Sequence, residues 1–220
     1  MTSSPRPAEK RTRLDPAARR AQLIDLGVEM LATRTLDALS VEDIAAKAGI
    51  SRGLLFHYFA SKQEFHLEVA RAAAAALIAR TAPDTALPPL EALRGALGAF
   101  IDYVEENPDN YKSLVRGAAA GDADMRAIFD ATRSTMAGRI IDVLSDLALP
   151  LGPRAELAVH GWVAFAEECV IRSIDGGVRN RSGLLDMLTK ALPALVLASS
   201  DEELNSLISI LTADRAIAAE

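Results

Sequence analysis

Apolar residues recur at intervals of three and four positions along most of the chain, the spacing that lines one face of an α-helix. Near the start, Leu23, Leu26 and Met30 follow this spacing after Asp15 and Pro16, an N-cap residue and a proline at the first helical position. No stretch shows the alternation of a strand. Beyond residue 88 the spacing predicts helices at 90–106, 108–119, 122–147, 153–175, 184–198 and 201–212. The pattern therefore predicts an all-α fold whose later helices form an antiparallel bundle with short connections.

Two short helices separated by a tight turn are predicted between Ser40 and Lys62, a segment that reads SVEDIAAKAGISRGLLFHYFASK. The hydroxyl of Ser40 can accept a hydrogen bond from a free amide of the first turn and so begin the first helix. Gly49 has the backbone freedom with which the chain reverses direction, and Ser51 caps the second helix. Ala45 is small enough to let the two helices cross closely. With the helix from residue 16, this predicts a three-helix helix-turn-helix unit.

The second helix of this pair is predicted to expose its first turn. Leu55 and Tyr58 form an inward apolar stripe, which leaves four residues facing outward: Ser51, Arg52, Gly53 and His57. A helix exposed in this way has the dimensions of the DNA major groove. The alternative, an ordinary helical hairpin inside a bundle, has the same spacing.

A fourth helix is predicted from Ser61 to about Arg80, because Ser61 and Glu64 form a capping box. Lys62 lies in its first turn, where a positive charge opposes the helix dipole, and a contact with a DNA phosphate explains this placement. Prolines at 83, 88 and 89 then indicate a domain boundary near residues 81–88.

Charge is distributed unevenly along the chain of 220 residues, whose formal net charge is −6. Residues 1–71 hold 11 basic and 9 acidic side chains, whereas residues 72–220 hold 13 and 21. We expect residues 1–14 to form a disordered basic arm, which would place Arg11 and Arg13 near the minor groove or the phosphates. A solvated tail without a DNA contact is the alternative.

Composition argues against several other classes. No apolar run approaches the roughly 20 residues of a membrane span, and the arm lacks the apolar core of a secretion signal, so we expect a cytoplasmic protein without a membrane partner. The single cysteine, Cys169, excludes an internal disulfide and a paired-cysteine metal site. The three histidines do not form a Glu-x-x-His pair or a repeated metal-binding spacing. We therefore expect no enzyme, no metal and no cofactor.

The run SVEDIAAKAGISRGLLFHYFASKQEF resembles the DNA-binding domain of the tetracycline-repressor (TetR) family of bacterial transcriptional regulators, and the likeness extends from about residue 16 to residue 72. In that family the recognition helix ends on aromatic residues and histidine, followed by a short turn and a lysine, and residues 56–62 read FHYFASK here. Two positions depart from the family pattern. His57 stands where a phosphate-binding tyrosine is common, and Thr35 stands where a helix-ending glycine is usual. We expect the first helix to stop through inward packing of Leu36 instead.

The resemblance implies a homodimer. In proteins of this family the last two long helices of each subunit form a four-helix interface, and here these helices are 154–175 and 184–198. Both carry more apolar positions than one buried face requires, so a second face must be covered. A larger monomeric core is the alternative.

The resemblance also implies a small-molecule pocket between residues 89 and 175. The candidate lining residues are apolar or aromatic, with Glu168 or Arg172 as a polar anchor, and each of them is also a candidate for plain core: Phe100, Tyr103, Tyr111, Met125, Phe129, Met136, Trp162 and Phe165.

Together these observations predict a ligand-responsive transcriptional regulator, most simply a repressor that binds a palindromic operator as a homodimer and is released by a small apolar or amphipathic effector. Residues 15–60 would form the helix-turn-helix domain, 61–80 a connecting helix and 81–220 the ligand-binding and dimerisation domain. The expected DNA contacts are Arg11, Arg13, Ser40, Ser51, Arg52, Gly53, His57, Tyr58 and Lys62. A helical-bundle enzyme and an effector-independent DNA-binding protein are the alternatives.

Overall fold

The computed structural model describes residues 15–119, 122–147, 151–176 and 180–199. Within these ranges the chain is helical and no residue lies in a strand, which confirms the predicted all-α fold. The predicted helix at 201–212 lies outside the described residues. In chain order the helices are α1 Pro16–Met30, α2 Val41–Ala48, α3 Arg52–Tyr58, α4 Lys62–Arg80, α5 Pro89–Glu106, α6 Pro108–Ala119, α7 Ala123–Asp146, α8 Pro153–Ile174 and α9 Arg181–Leu197, with a 3₁₀ turn at Leu36–Ala38.

Side-chain caps begin the first four helices where the sequence predicts them. Each cap oxygen accepts from the amide three residues ahead, at 2.9 Å for Asp15 and at 3.0, 3.2 and 3.0 Å for Ser40, Ser51 and Ser61. The Glu64 carboxylate reaches back to the amide of Ala60 at 2.6 Å, so the start of α4 is held from both sides. Local hydrogen bonds alone therefore set these four starting points.

The chain reverses between α2 and α3 through a single left-handed residue. Gly49 has φ 66° and ψ 36°, a conformation that costs glycine far less than other residues. The end of α1 has no left-handed residue, because its C-cap Leu31 is right-handed at φ −64° and ψ −16°. Thr35, beyond it, is extended at φ −73° and Leu36 packs inward at 4% exposure, as expected, whereas the role of Leu36 in ending α1 stays a prediction.

Two hydrophobic cores lie along the molecule. The first joins α1 to α4 and is centred on residues that are at most 1% exposed, namely Leu23, Ile44, Leu55, Phe59 and Phe65. The second joins α5 to α9 and includes Ile101, Val104, Val159, Val170 and Leu188. Helix α4 belongs to both, because its early residues pack in the first core and Leu77 packs in the second.

Close packing of α1 against α4 depends on Gly27, which is buried where the two helices meet. A Cβ at this position would overlap the side chain of Val69 and lie 3.2 Å from Cζ of Phe65. We therefore expect Gly27→Ala to lower the free energy of unfolding by about 1–3 kcal/mol, as overpacked cores do. Gly95→Ala is the matched control, since a Cβ there meets nothing within 4 Å and should stabilise α5 by up to about 1 kcal/mol. Urea unfolding of both variants at equal protein concentration makes the comparison; equal stability would contradict the packing argument.

Candidate nucleic-acid interface and central cavity

Helix α3 lies across α2 and presents its first turn to solvent. Ala45 of α2 and Leu55 of α3 are 3% and 0% exposed where the helices cross. The outward residues are those expected from the sequence, and all four are exposed: Ser51, Arg52, Gly53 and His57. A Cβ on Gly53 would meet only the Ser51 hydroxyl, at 3.9 Å, so the backbone here is open to close approach by another molecule.

Arg52 is held loosely at this surface. Its Nη1 lies 3.1 Å from Oε1 of Glu42, and its guanidinium lies 5.5 Å from the centre of the Phe56 ring. The Arg52 side chain is 65% exposed, and an ion pair so exposed contributes little. The side chain can therefore turn towards a new acceptor at small cost.

The other expected DNA contacts lie around this turn or outside the described residues. Lys62 is exposed at the start of α4. Tyr58 is half-buried, and the centres of its ring and the His57 ring lie 5.5 Å apart in an edge-to-face arrangement. The Ser40 oxygen already accepts from an amide as the cap of α2, which leaves its hydroxyl proton to donate. Arg11 and Arg13 lie in residues 1–14, which are outside the described ranges.

Helix α4 is tied to the chain segment that leads into α2 by a buried histidine. Nε2 of His66 lies 3.0 Å from the carbonyl oxygen of Leu39, and because a carbonyl only accepts, Nε2 carries the proton. Burial lowers the pKa of His66, and Lys62 adds to this effect, although the bond to Leu39 and the charge of Asp37 oppose it.

The lowered pKa of His66 predicts a loss of stability on mild acidification. In the unfolded chain His66 binds a proton at its ordinary pKa of about 6.5, whereas in the folded chain it does so only at lower pH. The contribution of His66 to stability is therefore fully present above pH 6.5 and decreases below it. We expect the free energy of unfolding to decrease between pH 7.5 and 5.5, and to decrease less in His66→Gln, whose amide can still donate to Leu39. Urea unfolding across this range measures both slopes; equal slopes would contradict the assignment.

A central cavity of ≈ 520 Å³ lies between α4, α5, α7 and α8. Its inner end is formed by Ala70, Ala73 and Met125, which also belong to the first core. Its outer end reaches the surface at residues that are 43%, 57% and 52% exposed, namely Leu87, Leu90 and Leu147. Most of the lining between these ends is aliphatic or aromatic. The volume and lining are those of a pocket for a small apolar molecule.

One wall of the cavity carries a polar cluster of Tyr111, Arg133 and Glu167. The Tyr111 hydroxyl donates to Oε1 of Glu167 at 2.6 Å, and Arg133 donates to Oε2 through Nε at 2.9 Å and through Nη2. The Glu167 side chain is 6% exposed and the Arg133 side chain 37%, so a half-buried guanidinium compensates a buried carboxylate. Burial, and then the negative charge of Glu167, raise the pKa of Tyr111 well above its ordinary value and keep the phenol protonated.

Comparison with known proteins decides the family. A family model described as bacterial regulatory proteins, tetR family, matches residues 23–69, and one described as the tetracyclin repressor-like C-terminal domain matches residues 89–195. The crystal structure of a tetR-family transcriptional regulator from Streptomyces coelicolor is 30% identical and superposes with a TM-score of 0.73 over 91% of each chain. The chain belongs to the TetR family.

Two curated relatives of this TetR-family chain show partial similarity. It is 42% identical over 92 residues to the HTH-type transcriptional repressor KstR2 of Mycolicibacterium smegmatis, which covers 41% of this chain and 45% of that protein. It is 26% identical over 156 residues to the HTH-type transcriptional activator FasR of the same organism, which covers 70% of this chain and 71% of that protein. The match to KstR2 thus spans less than half of that relative's length.

Seven of the lining residues expected from the TetR resemblance do line the central cavity: Phe100, Tyr103, Tyr111, Met125, Phe129, Met136 and Trp162. Two do not. Phe165 is 41% exposed on the outer side of α8, and Glu168 lies beside it on the surface, where it accepts from Nε of Arg172 at 2.5 Å. These two assignments are corrected because both residues lie on the α8 face that points away from the cavity.

The sequence pattern does not predict the charged residues Arg133 and Glu167 in the cavity lining. Glu167 stands one residue before Glu168, on the stripe of α8 that includes the buried Val163 and Val170. Its position at four residues after Val163 is the signal that could have found it. Arg133 has no comparable signal, because its partner lies 34 residues away in the chain.

The outer face of α8 and α9 exposes four large apolar side chains beside the Glu168–Arg172 ion pair. In the single chain Leu157, Phe165, Met187 and Leu195 are 72%, 41%, 44% and 40% exposed. This is the surface that the TetR resemblance assigns to a homodimer. Among the described helices none is both long enough and apolar enough to cross a bilayer, so these apolar residues do not form a membrane span.

Proposed function

We propose that this TetR-family chain is a ligand-responsive transcriptional regulator that binds a palindromic operator as a homodimer and is released when a small apolar or amphipathic effector fills the central cavity. The observation that carries the proposal is the position of α4. Phe65 and Val69 in its first half pack in the core beneath α3, and Leu77 in its second half lines the cavity. One helix thus contributes to both sites.

The exposed first turn of α3 supports a reading role in the major groove. Arg52 has the fork of donors that guanine O6 and N7 accept, and Gly53 allows the backbone to approach the bases. Lys62 at the start of α4 supports a phosphate contact, which would position α3 without reading sequence. Ser40, His57 and Tyr58 add polar groups around the same turn, and the basic arm with Arg11 and Arg13 would extend the contact.

A homodimer gives this reading surface its symmetry. We assign the interface to 154–175 and 184–198, because the outer face of these helices exposes Leu157, Phe165, Met187 and Leu195. A two-fold dimer places two copies of α3 in successive major grooves about 34 Å apart, so the operator would be palindromic.

Release requires that the effector bind the two arrangements of the dimer with different affinity. A ligand in the cavity displaces the residues that line it, including Leu77 of α4, and a pivot of α4 changes the separation of the two α3 helices. Couplings of this kind are typically about 1–3 kcal/mol, and they are reciprocal. Operator DNA must therefore weaken effector binding by the same factor.

Two measurements test the proposal. Fluorescence anisotropy with DNA from upstream of the gene should give a dimeric, salt-dependent complex on a palindrome, and a monomer that binds a half-site with full affinity would refute it. Calorimetry with and without operator should give different effector affinities, and equal affinities would refute release through α4. A reporter assay then separates repression from activation, since relatives carry both names.

Phosphate positioning and base reading should respond differently to mutation. Lys62→Ala should weaken binding to operator and to random DNA by a similar factor and reduce the salt dependence. Arg52→Ala should cost about 1–3 kcal/mol on the operator and relax the preference at one position in each half-site. Anisotropy titrations against a set of operators with single base-pair changes measure both. If Arg52→Ala lowers the affinity for operator and random DNA equally, Arg52 contacts a phosphate instead.

A further inference from the structure

The polar cluster in the cavity wall has hydrogen-bonding capacity that the protein does not use. Arg133 carries five N–H donors, and its bonds to Glu167 engage Nε and Nη2. Nη1 has no hydrogen-bond partner among the residues that the structure describes. The guanidinium carbon lies 4.5 Å from the centre of the Phe129 ring, and both residues line the cavity. The Nη1 donors are therefore available to an oxygen atom of an occupant.

The charge of Arg133 is already compensated. Its partner Glu167 is buried and has no other positive group bonded to it among the described residues, because its remaining bond is to the neutral hydroxyl of Tyr111. A carboxylate on the occupant would compete with Glu167 for Arg133 and leave one of two buried anions without a counterion, which is unfavourable. A carbonyl oxygen accepts from Nη1 and leaves the pair intact.

Three other hydrogen-bond donors in the lining, Thr81, Thr132 and Arg139, are bonded to backbone carbonyls, and Arg139 is the one among these three that carries a positive charge. The hydroxyls of Thr81 and Thr132 both donate at 2.8 Å to carbonyls of their own helices. Arg139 donates at 2.8 Å to the carbonyl of Ile78 near the end of α4. Asp84 and Asp146 also line the cavity, beside the exposed leucines of its outer end, and would repel an incoming negative charge.

We propose that the central cavity takes an uncharged, largely apolar molecule that carries a carbonyl or another hydrogen-bond-accepting oxygen, and that Arg133 binds this oxygen. The inference rests on the proposed function, which assigns the cavity to an effector, and it adds the chemical class of that effector. It also makes Arg133 the residue that distinguishes a ketone or ester from a free acid of the same size.

A tryptophan in the cavity wall provides the measurement. Trp162 is the single tryptophan of the chain, is 3% exposed and donates from Nε1 to the carbonyl of Leu188 at 3.1 Å. Its emission should change when the cavity is filled, independently of DNA. The probes are 2-undecanone and decanoate at pH 8, which are similar in size and differ in charge. We expect the ketone to shift the emission, to raise the thermal midpoint and to bind more tightly than decanoate.

The variants separate ligand binding from a structural role. Arg133→Met combined with Glu167→Gln removes both charges and so avoids an unpaired buried carboxylate. The amide oxygen introduced by Glu167→Gln can still accept a hydrogen bond from the Tyr111 hydroxyl. Arg133→Lys keeps a counterion for Glu167 but removes the planar pair of Nη1 donors. In both we expect the affinity for 2-undecanone to fall about tenfold or more, and the ratio of ketone to decanoate affinity to fall with it. Arg71→Met is the control, because Arg71 pairs with Glu68 at the surface and lies outside the cavity lining, so it should leave ketone affinity unchanged.

Three results would overturn the inference. One is an unchanged ketone affinity in both Arg133 variants while the emission still reports binding. Another is tight decanoate binding that Arg139→Met weakens, since the cavity would then take an anion. The third is that neither probe changes the Trp162 emission or the thermal midpoint. This result differs from the first two because it would also refute the effector-binding part of the proposed function.

Discussion

Replacing Arg133 with methionine is expected to lower the free energy of unfolding by about 1–3 kcal/mol, because the change leaves the buried carboxylate of Glu167 without its counterion. The 37% exposure of the Arg133 side chain keeps the loss below that of a fully buried pair. Only the hydroxyl of Tyr111 would remain bonded to that carboxylate.

A double-mutant cycle tests whether Arg133 acts on stability through Glu167. Adding Glu167→Gln to Arg133→Met removes the buried charge and should restore most of the stability, so that the two changes are far from additive. Arg71→Met is the matched control, since Arg71 forms a surface ion pair with Glu68 on α4, outside the proposed dimer interface. It should leave stability unchanged within error. Urea unfolding at one protein concentration measures the wild type, the single variants Arg133→Met and Glu167→Gln, the double variant and the control. A small effect of Arg133→Met, or no recovery in the double variant, would contradict the compensated pair.

Replacing Phe165 with glutamate is expected to separate the homodimer and to lower operator affinity by about a hundredfold or more. The side chain is 41% exposed on α8, within the apolar face that we assign to the dimer interface. A glutamate from each subunit would place two charges in a desolvated interface without partners. Each monomer would then bind one half-site without the gain in effective concentration that the second half-site provides.

Sedimentation velocity and anisotropy with a two-half-site operator measure the two effects of Phe165→Glu. Ala127→Glu introduces the same charge at an exposed position of α7, outside the proposed interface, and should change neither property. Binding to random DNA should change less than binding to operator in the Phe165 variant. A dimer that persists, or a monomer with unchanged operator affinity, would contradict the assignment of this face.

The helix-turn-helix could be predicted in detail because its signals are local. The caps at Ser40, Ser51 and Ser61 bond to amides only three residues away, and Gly49 takes a left-handed conformation that few other residues tolerate. Such interactions depend on neighbouring residues in the chain, so the spacing of residue types is enough to predict them. The exposure of Gly53 and His57 follows from the same kind of spacing, because they lie two residues before and two residues after the buried Leu55, on the opposite side of α3.

Within α8 the sequence alone could not assign the faces. Apolar residues occur around most of the helix, so periodicity does not distinguish the side that faces the cavity from the side that faces outward. Trp162 lines the cavity as the sequence predicts, whereas Phe165 and Glu168 lie on the outer face. Glu167 is the acidic residue of this pair that lines the cavity, and only the packing of α8 against its neighbours distinguishes it from Glu168.

By itself the sequence determined the all-α class, the starts of the first four helices, the turn at Gly49 and the outward face of α3, because each depends on contacts within a few residues. Tertiary structure alone decided which side chains meet in the cavity. Arg133 and Tyr111 reach Glu167 from positions 34 and 56 residues away. Their pairing results from how α6, α7 and α8 pack, and the burial that makes it important exists only once those helices are assembled.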